Sequence, residues 1–315
     1  TLLTFDWDKF PKLEGDVADS WNQSSDGLTY TFKIKKGIKF HDGTPLTSSD
    51  VKASYDRLKS PPKGVISVRK ALFSAIQSIS TPDSDTVVFK LSKPDAFMMS
   101  GFASPFNAIY SAKDIAKDPK FHIKNINGTG PYKFAGHKSG EAWKAVRYDG
   151  FHHGDNCLDA TEGYRIKKLG EPLIGGQIDA EWRGTAPPER IMLKKEMGDK
   201  VTFQAKTLMT AWVVSLNSKT KAFQNQKVRQ ALNMCIDRHA GLKTLAKITF
   251  VAPRPSGFLL YGTEYALPDE ELFQIPGFTK DIASSRKKAM KMLKEAGADG
   301  LEFTYSNRAV SHPYD

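Results

Sequence analysis

An α/β fold with more than one lobe is predicted by three features of the sequence. Leu28, Tyr30, Phe32 and Ile34 alternate with Thr29, Thr31, Lys33 and Lys35, the period of two that marks a strand with one apolar face. A helix opens soon after. Thr47-Ser48-Ser49-Asp50 has the form of a capping box, and Val51, Tyr55 and Leu58 follow at i, i+4 and i+7, one apolar face of a helix. The third feature is length: 315 residues exceed what a single hydrophobic core usually holds. Between strand and helix, Gly37 turns the chain, Ile38 and Phe40 form a short apolar pair, and Asp42-Gly43 turns it again.

The other elements follow in chain order. Residues 1–21 read as a short strand and loop leading into that stretch. Pro61-Pro62-Lys63-Gly64 breaks the helical pattern, and the apolar residues of 68–79 read as a helix turning into a strand. Pro82-Asp83-Ser84-Asp85 is a turn with Val87, Phe89 and Leu91 alternating beyond it, so 76–91 reads as a hairpin that Pro94 ends. Residues 97–110 are apolar but interrupted by Gly101 and Pro105, too broken for one regular element. Asn127-Gly128-Thr129-Gly130-Pro131 is the sharpest turn of the chain. Its glycines permit positive φ, and its proline fixes the exit into a strand over Tyr132-Lys133-Phe134. A phosphate cradle would need a third glycine and a following Lys-Ser/Thr pair, which are lacking here, so the turn is read as structural.

Residues 143–148 continue as a strand. The segment Phe151-His152-His153-Gly154-Asp155-Asn156-Cys157-Leu158-Asp159 then brings four potential metal ligands into six residues. Neighbouring histidines diverge on an extended backbone, and the sequence offers no second cluster, so a loop is the preferred reading and no metal site is assigned. Gly170 and Pro172 weaken any helix near 170–174, which reads as reduced to a turn. Ile178-Asp179-Ala180 reads as a short strand. Pro187-Pro188-Glu189 opens a helix that runs to Gly198. Residues 201–204 and 212–216 read as strands, and 226–237 as a helix. Residues 253–276 read as a long loop rich in Pro and Gly, 282–296 as a late helix, and 301–305 as one more strand.

Composition narrows the function classes. The apolar and charged fractions are those of a folded globular chain. No apolar run approaches the roughly 18–20 residues of a membrane span. A formal charge of +11 raises nucleic acid as a partner, but the Lys and Arg residues are scattered and no aromatics interleave with them, so no nucleic acid is expected. Cys235 shares an apolar helical face with Val228, Ala231 and Leu232, which favours a core thiol. Cys157 falls in a polar loop, and a bridge between the two is left open. There is no G-x-S-x-G, no H-E-x-x-H and no Walker loop, so an enzyme, whether a hydrolase or a metal-dependent one, finds no motif here.

Four ordered stretches carry a resemblance. D-G-L-T-Y-T-F-K-I-K-K-G-I-K-F-H-D-G-T-P-L-T-S-S-D-V, from Asp26 to Val51, resembles the central signature of the extracytoplasmic peptide-binding proteins. These are the solute-binding subunits of ABC importers for oligopeptides, dipeptides, nickel and related ligands. Gly15-Asp16-Val17-Ala18-Asp19-Ser20-Trp21 resembles the family's "GLAESW" run, and Asn127-Gly128-Thr129-Gly130-Pro131-Tyr132 its "GTGPY" turn. Val228-Arg229-Gln230-Ala231-Leu232 resembles its "VRQAL" helix. In the family the segment from Phe151 to Asp159 resembles a surface loop between two strands. Before Gln177-Ile178-Asp179 this sequence is about four residues shorter than the family's pattern.

What the resemblance implies is specific. The fold would be of the periplasmic-binding-protein type II-like kind, α/β, with two lobes of mixed β-sheets flanked by helices and the second lobe incomplete. Residues 1–122 would be an extra subdomain of the first lobe, 123–216 its core, and 217–315 the first part of the second. The protein would be non-catalytic, monomeric and without cofactor. It would capture a peptide or similar small solute in the periplasm or another extracytoplasmic space, free or lipid-anchored, and deliver it to a membrane permease. A solute sensor for a chemoreceptor would use the same fold. Both chain ends read as cut, with the acidic residue that meets a peptide's amino end expected beyond Asp315. The residues themselves suggest a ligand-binding loop at Glu181-Trp182-Arg183-Gly184, between the expected strand at 178–180 and the Pro187 helix. Loops at the carboxyl ends of strands are where α/β folds bind ligands. A Trp beside an Arg offers a stacking ring and a fork for a carboxylate. Trp182, Arg183 and Gly184, with Trp212 nearby, are therefore expected to line the cleft. The competing reading is a surface turn with Trp182 packed inward.

Overall fold

The structure, a computed structural model, describes the chain except for Trp7, Asp155, residues 166–169, Arg183, residues 206–212, Phe250, Glu264 and residues 307–315. The chain divides into two compact units, Thr1–Arg165 and Ile166–Asp315. In the first, β1 (Leu3–Phe5) pairs antiparallel with β2 (Leu13–Gly15). A four-stranded antiparallel sheet follows, formed by β3 (Ala18–Gln23), β4 (Thr29–Ile34), β5 (Ile76–Asp83) and β6 (Thr86–Leu91) in the order β3-β4-β6-β5. The helix α1 (Ser48–Lys59) lies in sequence between β4 and β5. Beyond the sheet come α2 (Met98–Ala103) and α3 (Ala112–Lys117), then a third sheet, three-stranded and antiparallel, of β7 (Tyr132–Lys138), β8 (Ala142–Arg147) and β9 (Ala160–Tyr164).

The alternation in β4 does what its period requires: Tyr30, Phe32 and Ile34 are buried while Lys33 is exposed. The hairpin expected at 76–91 is β5 and β6. Around these strands Tyr55 of α1, Phe73, Phe89 and Phe102 close an aromatic core. Phe102 stands at its centre, with ring centroids 4.9 Å from Phe32, 4.8 Å from Phe89, 5.6 Å from Tyr55 and 5.8 Å from Tyr30. It belongs to α2, inside the stretch whose Gly101 and Pro105 suggested no regular element. Gly101 is what lets this short helix approach: a Cβ there would meet the Phe73 ring at 3.3 Å.

The capping box at α1 forms through its acid. The Asp50 carboxylate reaches back to accept the Thr47 N–H at 2.7 Å, and the Thr47 hydroxyl donates to the same oxygen at 3.0 Å. The other oxygen of Asp50 accepts the Ala112 N–H at 2.8 Å. One buried carboxylate thus ties the start of α1 to the start of α3, satisfying donors that helix ends otherwise leave open.

The glycine-rich turn departs from expectation. Neither Gly128 nor Gly130 has positive φ; the turn is held instead by His41. The His41 N–H donates to the Gly128 carbonyl at 2.8 Å, ring Nε2 lies 2.9 Å from the Gly130 carbonyl, and ring Nδ1 accepts the Gly128 N–H at 3.4 Å. A carbonyl needs a donor and an amide needs an acceptor, so only the neutral ring with its proton on Nε2 serves both. Burial, and the nearby charge of Lys133, hold the His41 pKa below its usual value against the pull of the Gly130 carbonyl. Burial, with Arg57 close by, does the same to His122, which stacks on Tyr110.

The second unit is helical over its described residues. Its elements are α4 (Gly170–Ile174), α5 (Pro187–Met197), α6 (Lys221–Gln224), α7 (Gln226–Met234), α8 (Arg238–Leu245), α9 (Asp269–Leu272) and α10 (Ile282–Glu295). α4 corrects the expected turn, because Pro172 falls in its first turn, where no backbone N–H is needed. α7 and α10 pack through Ala231, Met234 and Ala289, with Cys235 partly buried against them. The Ser285 hydroxyl fastens the pair by donating to the Met234 carbonyl at 2.9 Å. Cys157 and Cys235 are both free thiols. The strands expected at 178–180, 201–204 and 301–305 are not formed, and neither is the described part of 212–216. Period-two alternation becomes a strand only when a neighbour takes up its N–H and C=O groups, and among the described residues these segments have no ladder. Val213 and Val214 stand 68% and 51% exposed.

Two expectations follow. Phe102→Ala should destabilise the first unit by about 3–5 kcal/mol, while Tyr55→Phe should be neutral or stabilising, because the buried Tyr55 hydroxyl has no hydrogen-bond partner among the described residues. Urea midpoints of the two variants check both. The second concerns pH. His41 and His122 titrate below the usual 6.5 when folded, so the unfolded chain takes up protons first as pH falls. The stability that these two rings contribute is complete above that value and declines as pH drops from about 7.5 to 5.5. Urea midpoints across that range should show the decline, and His41→Gln with His122→Gln should flatten it. An equally steep decline in the double variant would rule the two rings out as its source.

Candidate functional site

The loop before α5 is built from small residues and one large ring. Gly184 takes φ +117, a region that side-chain-bearing residues rarely enter. Ala186 is buried and its N–H donates to the Glu189 carboxylate at 3.3 Å, anchoring the loop to the first turn of α5. Trp182, four residues earlier, is 88% exposed. It is therefore no core residue, and the inward-packed reading does not describe this loop. An indole left in water keeps both its stacking face and its N–H available to a ligand. Arg183 and Trp212, the other two side chains expected beside it, lie outside the described residues. The strand at 178–180, on which the loop argument leaned, is an unpaired segment with a bend at Asp179.

A second constellation lies in the first unit. Asp16 sits in the connection from β2 to β3 with its side chain 20% exposed. One carboxylate oxygen accepts from the backbone nitrogen of Thr1 at 2.8 Å and the Thr1 hydroxyl at 2.6 Å. The other lies 3.0 Å from Nε2 of His152 and 3.0 Å from Nε2 of His153. Burial alone would raise the Asp16 pKa, but the hydrogen bonds from His152 and from the Thr1 hydroxyl act against it and hold the carboxyl below the usual range. The two histidines occupy a turn, not an extended strand, which removes the geometric objection raised from sequence: on a turn, adjacent rings converge, here with centroids 4.4 Å apart. Asp16 was not legible as their partner, since 136 residues separate it from His152 and no spacing rule spans that distance.

His152 also lines an open groove of about 930 Å³ whose walls include Lys33, Lys35, Lys36, Asp19 and Asp85. Its walls carry both signs of charge. No helix among the described residues is long and apolar enough to cross a membrane.

The fold has solved counterparts. It is similar to NikZ from Campylobacter jejuni in complex with Ni(L-His), with a TM-score of 0.74 at 24% identity over 94% of this chain and 56% of that one. It is also similar to Haemophilus influenzae OppA in complex with RPPGFSPFR, with a TM-score of 0.73 at 22% identity over 94% of this chain and 60% of that one. These likenesses establish the mixed α/β fold of the periplasmic-binding-protein type II-like class. Residues 12–313 match the model of the bacterial extracellular solute-binding proteins, family 5 middle domain, and the chain belongs to that family. Its relatives include the glutathione-binding protein GsiB of Pectobacterium atrosepticum, 30% identical over 295 residues that cover 93% of this chain and 54% of that protein. The same protein of Escherichia coli K12 is also 30% identical, over 55% of its length. The chain thus spans about half the length of the curated relatives it matches.

If Trp182 is free in solvent, Trp182→Ala should leave the melting temperature unchanged, and the indole should be readily quenched by iodide or acrylamide in the native chain. A substantial drop in melting would place the ring in a packed environment instead.

Proposed function

We propose that this chain is the solute-capturing part of an ABC-importer binding protein, working outside the cytoplasm and delivering a peptide or similar small solute to a membrane permease. The single observation that carries the reading is the family match over residues 12–313. Relatives named for glutathione, and fold neighbours holding a peptide and a nickel–histidine complex, support a small polar solute with amino-acid character. In this reading the protein is a monomer, binds no nucleic acid and performs no catalysis. Its work is thermodynamic: contacts made only in the closed state draw the population towards that state. Trp182, Arg183 and Gly184, with Trp212, supply part of the ligand contact, the exposed indole stacking on the solute and the guanidinium pairing with a carboxylate.

Mass spectrometry of solute released on denaturing the whole protein tests the class, followed by calorimetry with the solute found and with glutathione and short peptides. A co-purifying peptide-like solute that rebinds supports the reading. No solute and no binding, or turnover of the solute, overturns it. For the loop, Trp182→Ala and Arg183→Ala should each lose about 1–3 kcal/mol of binding with little change in melting. Unchanged affinity in both variants would remove the loop from the site.

A further inference from the structure

We propose that Asp16, His152 and His153 form a binding site for a divalent first-row transition metal of the zinc class, separate from the solute site and independent of the transport reading. The ligand atoms are in place: one Asp16 oxygen 3.0 Å from each of two imidazole Nε2 atoms, all within 4.8 Å of one another. Around a tetrahedral metal with bonds of about 2.0–2.2 Å, adjacent ligand atoms lie roughly 3.3–3.6 Å apart, a few tenths of an ångström more than the separation from the oxygen to each nitrogen. A modest rotation of the exposed His153 ring, 38% exposed against 9% for His152, completes the triangle. Two imidazoles and one carboxylate suit zinc, cobalt or nickel and are a poor donor set for calcium or magnesium.

Two further features fit a cation. The second Asp16 oxygen accepts the Thr1 hydroxyl, which orients the carboxylate and turns the oxygen bonded to both rings towards them, as outer hydrogen bonds do at metal sites. The buried Nδ1 of His152 has no partner among the described residues. A cation on Nε2 would displace the hydrogen bond to Asp16 and leave the ring proton on Nδ1, where a water would accept it. The partly exposed His153 opens the site to solvent for an ion and for the water that would fill a fourth position. A metal here would reinforce the tie that these hydrogen bonds to Asp16 make between the β2–β3 connection and the turn at 151–154.

The test uses the chain dialysed against chelator and then titrated with Zn²⁺ alone. One Zn²⁺ should bind per chain and raise the melting temperature. His153→Ala, at the more exposed ring, should keep the metal-free fold by circular dichroism and weaken Zn²⁺ binding by at least about tenfold. His152→Ala should weaken it too, and if that buried-site variant fails to fold, the His153 result still decides. Co²⁺ in place of zinc should give a nitrogen-and-oxygen spectrum. The proposal is overturned by no binding, by binding that His153→Ala leaves unchanged, or by a thiolate-to-cobalt charge-transfer band, which would put the ion on Cys157 or Cys235.

Discussion

A neutral imidazole joins the four-stranded sheet of the first unit to its three-stranded sheet. His41 comes from the F-H-D-G tip that follows β4, and it is bonded through its backbone N–H and both ring nitrogens to the Gly128–Gly130 turn that leads into β7. Around it the Tyr148 hydroxyl reaches the carbonyls of Lys39 and Phe40, and Asn127 links the Asp42 N–H to the Asp114 carboxylate. Each bond alone is worth on the order of 1 kcal/mol. Together they fix where the three-stranded sheet starts, and with it the turn that carries His152 and His153. A ring charged at both nitrogens could not accept from Gly128, so the junction is sensitive to proton uptake in a way that an apolar contact would not be.

The two units reach order by different means. In the first, long-range strand pairing and an aromatic cluster bury large side chains nearly completely, with Phe32, Tyr55, Phe89 and Phe102 all inaccessible to solvent. In the second, α7 and α10 share a small buried cluster, Ala231 and Met234 on Ala289, and side-chain bonds to backbone carbonyls add to the packing. Arg238 is the clearest of these: its guanidinium donates to the carbonyls of Asn233 and Gly277 and to the Asn233 side chain, and lies over the Phe278 ring. A small apolar cluster buries little surface, so much of the positioning here falls to directional polar contacts.

That contrast bears on where binding chemistry can reside. Trp182 and the residues around it stand on a loop whose anchor is the capped start of α5, so the scaffold beneath it is a helix, not a sheet. The Asp16 constellation is different in kind. It is small, polar and already knit, with the carboxylate fully engaged.

Local sequence determined the parts in which neighbours along the chain decide the outcome. The alternation of β4, the hairpin of β5 and β6, α1, the Pro-opened α5, α7 and α10 were legible because period, cap and stop signals act within a few residues. The four motifs likewise identified the family before any coordinate was known. Tertiary structure decided the rest. α2 forms across Gly101 because Phe102 is recruited to a core that sequence position does not announce, and the Asn127–Pro131 turn uses contact with His41 instead of left-handed glycines. Segments 201–204 and 301–305 alternate like strands yet have no ladder among the described residues, since a ladder depends on a neighbour and not on a period. Asp16 meets His152 and His153 only because a turn replaces an extended backbone and the fold brings residue 16 alongside it. Such a convergence is set by packing across more than a hundred residues, a distance over which spacing in the sequence carries no geometric information.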